Sequence, residues 1–146
     1  EEPVLKNARL ALTDGIMDVK FSIKDSNQID PMAILDKFSK ITNNYEFFRM
    51  SDSFRFLTED MEDIRQIFGN VSDREDVFST GLAKIKITIP NSQNQSDVVS
   101  YVAEVLHANG VELVNAFFSQ DSITIILNER DSSRAYDILH SDIMRK

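Results

Sequence analysis

Lys84-Ile85-Lys86-Ile87-Thr88-Ile89 alternates strictly between polar and β-branched apolar residues. A period of two, with the apolar set on one side, describes a strand that buries one face and wets the other. The pattern also occurs earlier, where Val19, Phe21 and Ile23 alternate with Lys20, Ser22 and Lys24. Both strands run into polar stretches, Asp25-Ser26-Asn27-Gln28 and Asn91-Ser92-Gln93-Asn94-Gln95, and then into helix signals. In the first copy Asp30 is a natural N-cap and Pro31 suits the first helical position. Ile34, Leu35, Phe38 and Ile41 follow as one apolar stripe. In the second, Ser96 or Asp97 is the expected cap, and Val98, Val102, Val105 and Leu106 make the stripe. Gly110 after Asn109 is the stop.

A strand pair comes next in each copy. Tyr45–Met50 and Phe54–Thr58 flank Ser51-Asp52-Ser53, and Val111–Phe118 and Ser122–Leu127 flank Ser119-Gln120-Asp121. Short polar connections between apolar runs indicate hairpins. Each copy closes with a helix. Met61, Ile64, Ile67 and Phe68 line the first, which stops at Gly69-Asn70. Asp131 caps the second, which turns Ala135, Ile138 and Leu139 inward. The order β-α-β-β-α thus appears twice, and a repeat carried by position, capping and pattern together is a fold signature. The expected class is α+β: two ferredoxin-like units with antiparallel sheets and helices on one face. Residues 1–80 form the first unit and 81–146 the second. A full β-α-β-β-α-β unit needs a fourth strand, which residues 71–80 could form only briefly. Ala8–Thr13 is strand-like and is expected to fill an open sheet edge.

Composition narrows the function. The net charge is −8. Phosphate contacts require a basic face, and the richest basic spots are Arg145-Lys146 and Lys84/Lys86, so nucleic acid is not an expected partner. With no Cys there is neither a disulfide framework nor a thiolate metal site, which fits a reducing, cytoplasmic setting. No apolar run is long enough to cross a bilayer. Glu1-Glu2-Pro3-Val4 has neither an initiator Met nor a signal pattern and reads as the start of a cut-back chain.

The second copy resembles an ACT domain. The likeness is carried by Ala83 to Pro90, by the helix ending Leu106-His107-Ala108-Asn109-Gly110-Val111, by Asn115 to Ser119, and by Ser122-Ile123-Thr124-Ile125-Ile126-Leu127. It is similar to the paired ACT domains at the end of aspartate kinases, and to small archaeal regulators of amino-acid metabolism. It covers about 60 residues of the second copy and reaches the first through the repeat. The resemblance implies a regulatory module that binds an amino acid at an interface between ACT units and controls an attached or partner protein. It implies pairing of copies, as a dimer, through sheet edges or faces. It places the ligand at the loop between first strand and first helix: Asn91, Ser92, Asn94, Gln95, Ser96 and Asp97, with Ser26, Asn27, Gln28 and Asp30 in the first copy. Free N–H groups at a helix start suit the ligand carboxylate, and Asp97 or Asp30 its ammonium. The same residue types are helix caps and turn formers. Neither loop carries the glycine that lets a backbone approach a ligand, which leaves a ligand-free dimerisation module as the other reading. The regulatory end of an aspartate kinase-like enzyme is a third.

No cofactor, metal site or catalytic constellation is expected. His107 and His140 lie near helix C-termini, where a histidine complements the dipole. Asp60, Glu62 and Asp63 sit at a helix start, where negative charge is stabilising. No phosphate loop, nucleophile elbow or HExxH occurs, so a stand-alone enzyme is the weakest reading. Phe47-Phe48 and Phe117-Phe118 put one ring on each sheet face, which marks a partner surface.

Overall fold

A computed structural model describes residues 4–22, 30–43, 45–67, 78–90 and 95–144. The elements are β1 (Arg9–Ser22), α1 (Pro31–Ser39), β2 (Tyr45–Arg49), β3 (Ser53–Glu59), α2 (Glu62–Ile67), β4 (Phe78–Thr88), α3 (Gln95–Ala108), β5 (Leu113–Phe118), β6 (Ser122–Asn128) and α4 (Ser132–Met144). A 3₁₀ turn at Glu129–Asp131 leads into α4. The repeated β-α-β-β-α order of the alternating segments is therefore present, in the α+β class. The β1–β3, β2–β3, β4–β6 and β5–β6 pairs are antiparallel, and β1 and β4 are hydrogen-bonded neighbours.

The chain divides into two compact units, Gly15–Gly81 and Glu1–Asp14 together with Leu82–Lys146. The N-terminal segment thus groups with the second copy of the repeat, where a cut after residue 80 leaves it with the first. Packing is the reason: Leu5 and Ala8 are buried in the core built by β4, β6, α3 and α4, and Leu10 and Leu12 lie against it. The stretch Ala8–Thr13 is not a separate strand. From Arg9 onward it is the beginning of β1, which runs on through Gly15 into the Val19 alternation. The fourth strand missing after the first copy is the start of β4, which opens at Phe78.

In the unit Gly15–Gly81 the register sets Val19 and Phe47 opposite Phe56, and Phe21 opposite Phe54. Met17, Val19, Phe21, Ile34, Phe38, Phe54, Phe56 and Ile64 form its core. The rings interlock, with Phe38 edge-on to Phe56 at 5.2 Å and Phe47 tilted against Phe56 at 5.0 Å, a geometry that stabilises beyond area burial. Asp30 caps α1 by accepting from the Met32 N–H at 3.0 Å. The helix ends earlier than the stripe: Lys40 and Ile41 N–H donate to the Lys37 and Phe38 carbonyls, the i→i−3 bonds of a tightened last turn. Ile41, expected on the buried stripe, is consequently exposed, as is Met61 just before α2. Phe68 lies outside the described residues.

In the other unit Ile85 faces Ile125 and Ile87 faces Ile123 across the β4–β6 ladder. These four pack with Val98, Val102 and Leu106 of α3 and Ala135 and Leu139 of α4. Burying a side chain such as Leu106 contributes about 1.5–3 kcal/mol. Helix α3 opens at Gln95, so Ser96 and Asp97 lie in its first turn instead of capping it. It closes as expected at Gly110 (φ +79°), with Val111 N–H donating to the Leu106 carbonyl and Gly110 N–H to that of His107; this doubly bonded ending relies on a left-handed residue. Asp131, the expected α4 cap, ends the 3₁₀ turn and directly precedes Ser132, where α4 opens. Strand β5 begins at Leu113, two residues later than the alternation indicates, and carries a bulge between Leu113 and Asn115.

Candidate functional site

Each unit has one strand-to-helix junction of the kind that holds the candidate ligand residues. Ser26, Asn27, Gln28, Asn91, Ser92 and Asn94 lie outside the described residues. Asp30, Gln95, Ser96 and Asp97 lie within them.

At the junction of β4 and α3, Ile89 N–H donates to the Asp121 carbonyl at 3.1 Å, which ties the end of β4 to the β5–β6 turn. Gln95, the first residue of α3, reaches the same turn. Its side-chain amide donates to the Ser119 carbonyl and, at 3.3 Å, to that of Ser122. The Ser119 and Ser122 hydroxyls are themselves hydrogen-bonded. With its Nε2 hydrogens on two carbonyls, the Gln95 amide has a set orientation, and the start of α3 is anchored to a turn 24 residues away. Ser96 and Asp97 are exposed in the first helical turn, where a carboxylate complements the helix dipole. This junction can present N–H groups of a helix start beside an acidic side chain. In the other unit the Asp30 carboxylate is committed to the Met32 N–H.

Three features lay beyond sequence reasoning. Ser119 and Ser122 join the Gln95 environment, a partnership no local pattern encodes. The second is Asp18. It is 6% exposed, its Oδ2 lies 3.6 Å from Arg55 Nη1, and its Oδ1 has no hydrogen-bond partner. Burial pushes the Asp18 carboxyl above its ordinary range, against the pull of Arg55 and Lys20. Alternation with the apolar Met17 and Val19 sets an acid at position 18 on the opposite face of the strand, so no local pattern showed its burial. The third is the Tyr101 hydroxyl, which donates to Asp142 Oδ1 at 2.5 Å and joins α3 to α4.

The acidic cluster at the start of α2 is engaged differently from a cation site. Asp60 accepts two hydrogen bonds from Arg65, at 2.6 and 2.8 Å, and this pairing holds its carboxyl below the usual range. His107 pairs with Glu112, and His140 stacks on Tyr136. Among the described residues no group of three or more His, Asp or Glu is arranged to hold a metal ion. An open polar depression past the end of α1 is lined by Ser39, Lys40, Ile41, Thr42 and Asn43; it includes none of the four described junction residues. Of the paired rings, Phe117 is buried and Phe118 is 50% exposed. No described helix is long and apolar enough to cross a membrane.

The same arrangement occurs in solved structures. The regulatory subunit of aspartate kinase from Thermus thermophilus in its ligand-free form superposes with a TM-score of 0.66 at 12% identity, over 94% of this chain and 97% of that one. The chain shares its fold with the regulatory part of aspartate kinases. A C-terminal regulatory domain of aspartate kinase from Porphyromonas gingivalis gives a TM-score of 0.59 at 14% identity, covering 94% and 98%. The aspartate kinase of Clostridium acetobutylicum gives 0.71 at 12% identity, covering 98% of this chain and 36% of that longer one. No protein-family model matches the sequence. No curated protein sequence matches it.

Proposed function

We propose that this chain is a non-catalytic regulatory module of the ACT type that senses an amino acid and passes that event to an attached or partner protein of amino-acid metabolism. The observation that carries the reading is the likeness in fold to a regulatory subunit and to a C-terminal regulatory domain of aspartate kinases, over nearly the whole of both chains. The junction of β4 and α3 supports it chemically. A zwitterion offers a carboxylate to helix-start N–H groups and an ammonium to an acid such as Asp97. In this reading Asn91, Ser92, Asn94, Gln95, Ser96 and Asp97 form one site, and Ser26, Asn27, Gln28 and Asp30 its counterpart. Copies of the chain assemble as a dimer.

A second reading, a dimerisation module without a ligand, is favoured by one specific observation. Neither junction has a glycine, and the Asp30 carboxylate and the Gln95 amide already hold bonds within the protein. A thermal-shift screen against the twenty amino acids separates the two. A ligand at a hundredfold excess over its dissociation constant raises stability by about 2.7 kcal/mol. Stabilisation by one or a few amino acids, weakened by Asp97→Ala, is expected. A flat response to all twenty rules out amino-acid sensing and leaves the second reading.

A further inference from the structure

We infer that Asn109 is a latent deamidation site, held unreactive by the ending of α3 and converted to aspartate and isoaspartate when that ending opens. Asn109-Gly110 is the one Asn-Gly pair in the sequence. Glycine has no side chain to shield its own nitrogen or to restrict the backbone around it. Once that nitrogen gives up its proton to base, it can attack the side-chain amide carbon of Asn109. A bond forms from the Gly110 nitrogen to Asn109 Cγ, the Cγ–Nδ2 bond breaks, and the side-chain nitrogen leaves as ammonia. One water then opens the resulting cyclic imide. Cleavage at Cγ restores the normal backbone with an aspartate side chain, and cleavage at the backbone carbonyl leaves isoaspartate.

The folded chain opposes the attack at both reacting atoms. Asn109 Nδ2 donates to the Val105 carbonyl at 2.8 Å, which draws the amide back along the helix and away from Gly110. Gly110 N–H donates to the His107 carbonyl at 3.0 Å, and Val111 N–H to that of Leu106 at 2.8 Å. The nucleophilic nitrogen thus keeps its proton, in a turn set by the left-handed Gly110. Side chains hold the turn from outside. Arg134 of α4 donates to the Gly110 carbonyl at 3.2 Å and pairs with Asp131, and His107 pairs with Glu112 across the turn. Residues 107–110 are all exposed, so water and base reach the pair. Hydrogen bonding, rather than burial, protects it.

Conversion reinforces itself. A carboxylate at position 109 cannot donate to the Val105 carbonyl. It also adds negative charge to the last turn of α3, where the helix dipole disfavours it. Isoaspartate inserts a methylene into the backbone path, which takes the Gly110 and Val111 N–H groups out of register with their carbonyls. A chain that has opened once at this turn and reacted is therefore marked irreversibly.

Mass spectrometry of the aged protein tests this. Cleavage after Glu104 and Glu112 releases Val105–Glu112, in which Asn109 is the only asparagine, so amide-to-acid conversion and its two isomers are read at this position alone. The chain is incubated at mildly alkaline pH, folded and in urea. Because the bonds to the Val105 and His107 carbonyls must break together, the folded rate is expected to lie at least about tenfold below the unfolded one. Arg134→Ala removes an outer hold at an exposed position. It is expected to raise the folded rate about threefold or more, with an unchanged circular dichroism spectrum and an unchanged rate in urea. Ile64→Val, a mild core change in the other unit, is expected to leave the rate unaltered. A folded chain that deamidates as fast as the unfolded one, an Asn109 that stays intact in urea, or an Arg134→Ala variant no faster than wild type overturns the proposal. An equal rise in Ile64→Val also overturns it, by tying the reaction to general unfolding instead of the α3 ending.

Discussion

Replacing Gly15 by alanine isolates a pure backbone effect. Gly15 has φ +65° and Gly81 φ +68°, at the positions where β1 and β4 pass between the two compact units. A Cβ added at either meets nothing within 4 Å, so no steric clash enters. What remains is the left-handed conformation, which costs an L-residue roughly 1–2 kcal/mol. Alanine also restricts the unfolded chain, which returns about 0.4–1 kcal/mol. Gly15→Ala should therefore destabilise by up to about 1.6 kcal/mol, with a midpoint of about 0.8 kcal/mol, or roughly 2–3 °C in Tm at that midpoint. Asparagine visits the left-handed region more readily, so Gly15→Asn should lose less than half as much. Urea denaturation followed by circular dichroism, with free energies from linear extrapolation, resolves the difference. An alanine variant more stable than wild type would refute the left-handed assignment. Equal and large losses for alanine and asparagine would show crowding that the structure lacks.

The remaining predictions concern the core, the junction and two carboxylates. Leu106→Ala should cost about 2–5 kcal/mol, read by the same denaturation, because Leu106 is fully buried among β-branched neighbours that collapse poorly into the space. Gln95→Ala should lose about 1–2 kcal/mol for two hydrogen bonds to carbonyls, and Gln95→Glu more, since it sets a carboxylate against the same oxygens; thermal melts at pH 7 rank the pair. The folded pKa of Asp60 lies below its unfolded value. Its stabilisation is present above the unfolded pKa and is lost as pH falls through the folded one, so Asp60→Asn should flatten the acid limb of stability below about pH 4. Asp18 has the opposite sign. Its contribution is complete below the unfolded pKa and is lost as pH rises through the folded one, so wild type should lose more stability between about pH 4 and pH 7 than Asp18→Asn does.

Much of the fold was legible because it rests on local periodicity. Ile85, Ile87 and Ile89 alternate, and all three are buried. Asp30 caps where a cap belongs, and Gly110 ends α3 in the left-handed conformation. Ends of elements were less legible. The start of α3 moved to Gln95 and the end of α1 fell short of Ile41, because the last turn of a helix is decided by bonds to distant or returning backbone. At the candidate site, Asp30 and Gln95 stood out as polar junction residues. Their actual partners did not, since the Gln95 amide answers to Ser119 and Ser122 across the chain.

The sequence by itself determined the two β-α-β-β-α repeats, their α+β class and the stripes that become cores. Each of these follows from spacing along a few consecutive residues, which fixes which side chains share a face. Tertiary structure alone decided where Leu5 to Asp14 belongs, how Asp18 is buried beside Arg55, and that β5 carries a bulge while β2 runs unbroken. Those outcomes depend on pairing register and on apolar partners far along the chain, and no local window contains both members of such a pair.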